Sequence, residues 1–283
     1  AGQIKSLSRI TLVFMKAAFA TKALRIISKR LRGVLALLKM LEVEFKKIKR
    51  QKFILLTVLA ACLFPIPLTI VIVHSKLNYD TLLMFVMEFG FFLVLPIVLG
   101  IIASILFRME NENGTLKTLS VIPVPRWKLL GAKVIIIYIL AVFYGVAAIG
   151  ATMIGGLFTG TISDIPLKLA ISLSMSVLIA TASLPMIAAA VVFQKNFILP
   201  ILCSVIYAVS SFAFSVMLLK VPAPLTLLFR CSLPFITANP ERMEMVENVQ
   251  NWVLPVFPCI LSLIGMGTVC MVLSAYIYRK QEV

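Results

Sequence analysis

Acidic residues and histidine are scarce in this chain: 11 Asp and Glu stand against 27 Lys and Arg, and His74 is the single histidine. Charged residues of both signs make up 13% of the sequence, where a water-soluble domain of this length carries roughly a quarter. That shortage excludes an ordinary soluble globular domain. One histidine excludes paired-histidine metal sites and the zinc-dependent proteases built on them. No Gly-x-x-x-x-Gly-Lys-Ser/Thr loop is present, so ATP binding through a P-loop is excluded, and no Gly-x-Ser-x-Gly elbow is present either. The five cysteines (Cys62, Cys203, Cys231, Cys259, Cys270) form no Cys-x-x-Cys pair, and four lie in apolar runs, where a free thiol behaves as a small hydrophobe.

What fills the chain instead is apolar: 61% of its 283 residues are hydrophobic, and mean hydropathy is +1.07. Six runs stand out, at Phe53–Val73, Leu82–Phe107, Val134–Thr159, Leu167–Phe193, Phe197–Leu219 and Trp252–Tyr276. Each can cross about 30 Å of hydrocarbon at about 1.5 Å per helical residue. None alternates as a barrel strand does, so helix is the way to satisfy the backbone in lipid. The expected fold is an all-α membrane protein of six transmembrane helices.

Orientation follows from the basic residues of the loops. With the N-terminus in the cytoplasm, Arg108, Lys117, Arg126, Lys128, Lys133, Lys195, Arg279 and Lys280 lie inside, while Lys76, Lys168, Lys220, Arg230 and Arg242 lie outside. Both termini are therefore expected in the cytoplasm. Fourteen of the basic residues fall between Lys5 and Lys52, against the first run and without interleaved aromatics. That pattern fits the surface of a lipid membrane rather than nucleic acid.

Residues 1–39 carry nine basic residues and no acidic one. Met40 then opens a segment in which Leu41, Phe45 and Ile48 share one helical face and lysines the other. This spacing predicts an amphipathic interfacial helix leading into the first span. Met40 is the expected natural start, with 1–39 an upstream extension and 40–283 the six-helix domain.

Two loops exceed the minimum. Lys220–Asn251 holds Pro222, Pro224, Pro234 and Pro240 around Leu225–Ile236, which is too short to span and too apolar for an ordinary loop. A re-entrant outer hairpin before the last span is expected there. Arg108–Lys133 is polar and patterned. Asn113-Gly114 reads as a helix stop, Thr115 as the cap of a short helix with Leu116 and Leu119 on one side, and Pro123 and Pro125 as its end. The result is a short helix along the inner membrane face, a shape suited to receiving force from a soluble partner. Inside the runs, Glu88 is the one clear intramembrane charge, a default candidate for an ion or proton pathway. Glycines in and after the third run (Gly145, Gly150, Gly155, Gly156, Gly160) predict close helix packing.

Glu110-x-Glu112-x-Gly114-Thr115-Leu116-x-x-Leu119, followed by Pro123-Val124-Pro125-Arg126 and Lys133, resembles the intracellular loop of ABC-2-type transporter permeases. The opening Met40-Leu41-x-x-Glu44-Phe45-x-Lys47-x-Lys49-Arg50, the six spans and the proline-rich outer loop are similar to the same family over residues 40–283. Within it, the chain is most similar to the branch for lantibiotic immunity and bacitracin transport.

The resemblance implies the membrane subunit of an ATP-binding-cassette exporter in a bacterial plasma membrane. It implies no catalysis and no cofactor on this chain, with ATP and Mg bound by a separate ABC ATPase. A second permease copy or paralogue would complete the complex, and the substrate would be an amphipathic antimicrobial peptide moved outward. Glu110, Glu112, Gly114, Thr115, Leu116, Leu119, Pro125 and Arg126 would form the ATPase-coupling loop, and the Leu41–Phe45–Ile48 face the connecting helix. The alternative is a non-ABC secondary carrier or a structural membrane subunit, which has no need of an ATPase dock.

Overall fold

A chain this apolar has to satisfy its backbone polar groups within each segment, and the helices found here do so. The computed structural model describes residues 42, 45–46, 53–112, 126–159, 164–217, 219–236 and 252–280, and all regular structure among them is helical. Among the described residues, six helices are long and apolar enough to cross a membrane: Leu55–His74, Tyr79–Met109, Trp127–Thr159, Ile165–Val192, Ile198–Val216 and Val256–Lys280. They are called spans 1 to 6 below. The six apolar runs of the sequence coincide with them, with ends that differ by up to four residues except at the start of span 3, which lies seven residues earlier than its run.

The chain divides into two compact units, Ala1–Lys46 and Lys47–Val283. In the first, Glu42, Phe45 and Lys46 are helical, and Lys46 Nζ pairs with Glu42 Oε1 at 3.0 Å, one turn away. Leu41 and Ile48, the partners of Phe45 on the expected interfacial face, lie outside the described residues, as do residues 1–39.

In the second unit, proline shapes the spans. Span 1 is two helices, Phe53–Leu63 and Pro65–His74, and span 4 is Ile165–Ala182 followed by Leu184–Val192. Pro65 and Pro185 each sit at the start of the second piece, where a missing N–H costs least. Span 2 contains a π-helical stretch, Val86–Val94, between Tyr79–Phe85 and Leu95–Glu112. Pro96, just beyond it, cannot donate to the carbonyl four residues earlier, and its ring crowds the turn before it. The widened turn lets Gly90 O accept the Leu95 N–H and also the Tyr144 hydroxyl of span 3 at 2.6 Å.

Spans 2, 3 and 4 bury half or more of their most apolar stretch, whereas spans 1, 5 and 6 bury less than a third. Span 3 packs on spans 1 and 4, span 2 on span 5, and the second half of span 4 on spans 2 and 6. Small residues set the closest approaches: a methyl group added at Gly100 would run into Ser204 of span 5, and one at Gly145 into Ser176 of span 4. Gly155 is a third such point, against Thr69 of span 1, while Gly150 faces open space. Buried hydroxyls turn back on their own helix, as Ser104 does to Gly100 O at 2.7 Å and Ser204 to Pro200 O at 2.8 Å. That keeps them satisfied without water.

Two expectations shift. The long polar loop is shorter than Arg108–Lys133, because the helix of span 2 runs on to Glu112 and that of span 3 opens at Arg126. Of the outer hairpin, the described part is a buried 13-residue helix, Pro224–Ile236, and the return limb lies outside the described residues. This short helix packs against spans 5 and 6. Thr226 Oγ1 reaches Ser211 O at 3.4 Å, and Arg230 Nε donates to Trp252 O at 2.7 Å.

Candidate coupling site

The residues expected to receive force sit at the adjoining ends of spans 2 and 3. Glu110 and Glu112 occupy the last turn of helix Leu95–Glu112, and Arg126 is the first residue of helix Arg126–Thr159. Gly114, Thr115, Leu116, Leu119 and Pro125 fall outside the described residues. The two ends of the expected dock are thus helical, and residues 113–125 between them lie outside the described residues.

Just behind these ends lies a group that sequence reasoning assigned to the loop. Lys133 is inside the helix of span 3, two turns past its start, with 0% of its side chain exposed. Its Nζ donates to the Leu106 carbonyl of span 2 at 2.6 Å and lies 4.5 Å from the centroid of the Phe107 ring. Tyr278 of span 6 meets the same ring edge-on, at 6.0 Å between centroids and 74° between planes. Three spans therefore converge on one cation and one aromatic ring. Next to them, the Arg108 guanidinium stacks 4.9 Å from the ring of Phe197, at the start of span 5. Trp127, at the same end, is 62% exposed.

A buried ammonium is costly unless it is bonded, and a carbonyl dipole with an aromatic face is a partial replacement for water. Leu106 O can also serve its own helix, since a carbonyl has two lone pairs. The arrangement holds helices together at a fixed point. The signal in the sequence was available: Lys133 lies among Leu129, Leu130, Ala132 and Val134, all buried, so the charge interrupts an apolar stretch instead of preceding one.

Glu88 is the other candidate. Span 2 begins at Tyr79, which puts Glu88 about 14 Å along the helix from that end. It falls in the π-helical stretch, half-buried and not without interactions. Phe89 beside it packs on Phe64, Phe85 and Phe212. Leu106, the carbonyl partner of Lys133, lies 18 residues beyond Glu88 on span 2 (106 − 88), so Glu88 and Lys133 do not form one site.

The opposite end of the bundle is held differently. Lys168 of span 4 pairs with Asp80 of span 2 at 2.6 Å, with 11% and 47% of the two side chains exposed. Between spans 1 and 3, an apolar cleft of about 550 Å³ is lined by Ile66, Ile70, Ile154, Phe158 and the ring of His74.

No curated protein sequence matches the chain. Residues 40–211, which include spans 1 to 4, the two helix ends and the segment between them, match the family described as ABC-2 family transporter protein. With six membrane-spanning helices and a match over most of its length, the chain belongs to the ABC-2 transporter family, as a membrane permease.

Proposed function

We propose that this permease is the membrane subunit of an exporter that moves an antimicrobial peptide or a similar amphipathic antibiotic outward. A separate ABC ATPase, carrying ATP and Mg, docks at the cytoplasmic end formed by Glu110, Glu112 and Arg126 with the segment between them. A second permease, identical or paralogous, completes the assembly, and both termini are cytoplasmic. Closure of the ATPase dimer presses on residues 113–125 and rocks the spans. The observation that carries this reading is the family match across the loop between spans 2 and 3. Two further observations support it: the helix ends on either side of that segment, and an apolar cleft suited to the greasy face of such a substrate.

The first experiment is an affinity pull-down of the tagged chain from its native membrane in mild detergent. A P-loop ATPase in the eluate is expected. Gly114→Pro or Glu112→Lys should then abolish protection of cells against bacitracin or lantibiotics while leaving membrane insertion intact. Wild-type protection from either variant would remove the coupling role. The competing reading, a secondary carrier, draws on one observation, a carboxylate, Glu88, within the apolar helix of span 2. An eluate free of ATPase, with transport lost in Glu88→Gln, would favour it.

A further inference from the structure

Ionisable groups inside a membrane bundle are costly and mark function more often than packing. Lys133 is fully buried among spans 2, 3 and 6. Packing alone does not call for a cation, since an apolar side chain of similar length fills such a space without the desolvation cost. What the ammonium adds is a directed bond to a backbone atom of a neighbouring helix.

The place of that bond matters. Leu106 is one turn before Glu110, and Lys133 is two turns after Arg126. The bond therefore ties the two helices that carry residues 113–125, close behind their ends. Phe107, under the same ammonium and edge-on to Tyr278, brings the last turns of span 6 into the tie. Without it, a push on the segment could be taken up by sliding of one helix past the other.

We infer that Lys133 is a positioning residue that makes the adjoining ends of spans 2 and 3 move as one body, so that displacement of residues 113–125 is passed into the bundle. The inference rests on the coupling function proposed above and names the residue that transmits it. Lys133→Met keeps the length and apolar contacts of the side chain and deletes the directed bond. Lys133→Arg keeps a cation that can reach the carbonyl.

The test uses the complex purified with its ATPase and trapped with ADP and vanadate, read by amide hydrogen exchange. In the wild type, trapping should change exchange in residues 106–112 and 126–133 together, by roughly fivefold or more, the lower end of ordinary coupling factors. In Lys133→Met the change should stay within 113–125 while ATP hydrolysis continues and the melting temperature holds. Lys133→Arg should restore the joint response. A Lys133→Met complex that responds like the wild type overturns the inference alone, with the coupling function intact. Equal loss of stability in both variants also overturns it, in favour of a purely structural lysine. A preparation with no ATPase overturns the proposed function, and this inference with it.

Discussion

Each end of the bundle holds its helices with a lysine over an aromatic ring, Tyr79 for Lys168 and Phe107 for Lys133, and the two differ in the oxygen that the lysine meets. At one end Lys168 meets the carboxylate of Asp80, which is nearly half exposed. At the other, Lys133 is sealed from solvent and bonded to a backbone carbonyl under an aromatic ring. A wetted ion pair is weak, screened by salt and easily exchanged for water contacts. A buried cation has no such exchange available, so its geometry is enforced by the cost of leaving it. The difference teaches that the Lys133 end is built to keep its helices in register. The Asp80 end also holds the short Pro224–Ile236 helix, tied through Arg230 to Trp252, and it can loosen at lower cost.

Reversing the charge at the sealed end breaks the comparison most severely. Lys133→Glu sets a buried carboxylate against the Leu106 carbonyl, acceptor against acceptor, and should cost about 3–5 kcal/mol. The expected readout is a steep fall in detergent-extracted monodisperse protein and in melting temperature. At the opposite end, Arg230→Met leaves the Trp252 carbonyl without its part-buried donor. A loss of about 1–3 kcal/mol is expected, seen as faster exchange of the Pro224–Ile236 amides with the rest of the bundle unchanged. The smallest effect belongs to the wetted pair. Asp80→Asn should cost about 1 kcal/mol or less, and the gap between it and the wild type should shrink further as salt is raised. If Asp80→Asn proved as damaging as Lys133→Glu, the contrast between the two ends would not stand.

Much of this was legible in the sequence, for reasons that differ from residue to residue. Gly145 and Gly155 are visible as close-approach points because backbone sterics act locally, whereas the runs over spans 1 and 4 were read as single helices and the structure breaks them at Pro65 and Pro185. Glu110 and Glu112 were placed in a loop, yet the helix of span 2 carries through them. Their charge ends the apolar run without ending the helix, since glutamate is a good helix former. Lys133 was counted as a loop charge because charge ordinarily marks the edge of a span.

By itself the sequence determined six crossings, their order, and the pattern of the segment between spans 2 and 3. These depend on sums of transfer free energy along the chain and on each helix satisfying its own backbone, which composition and length report directly. Only the tertiary structure decided that Leu106 O and the Phe107 ring receive Lys133, and that Tyr278 closes the group. The partner of a buried charge is chosen across helices, by packing between residues distant in the chain. No property of Lys133 or of its immediate neighbours in sequence encodes which carbonyl will be there.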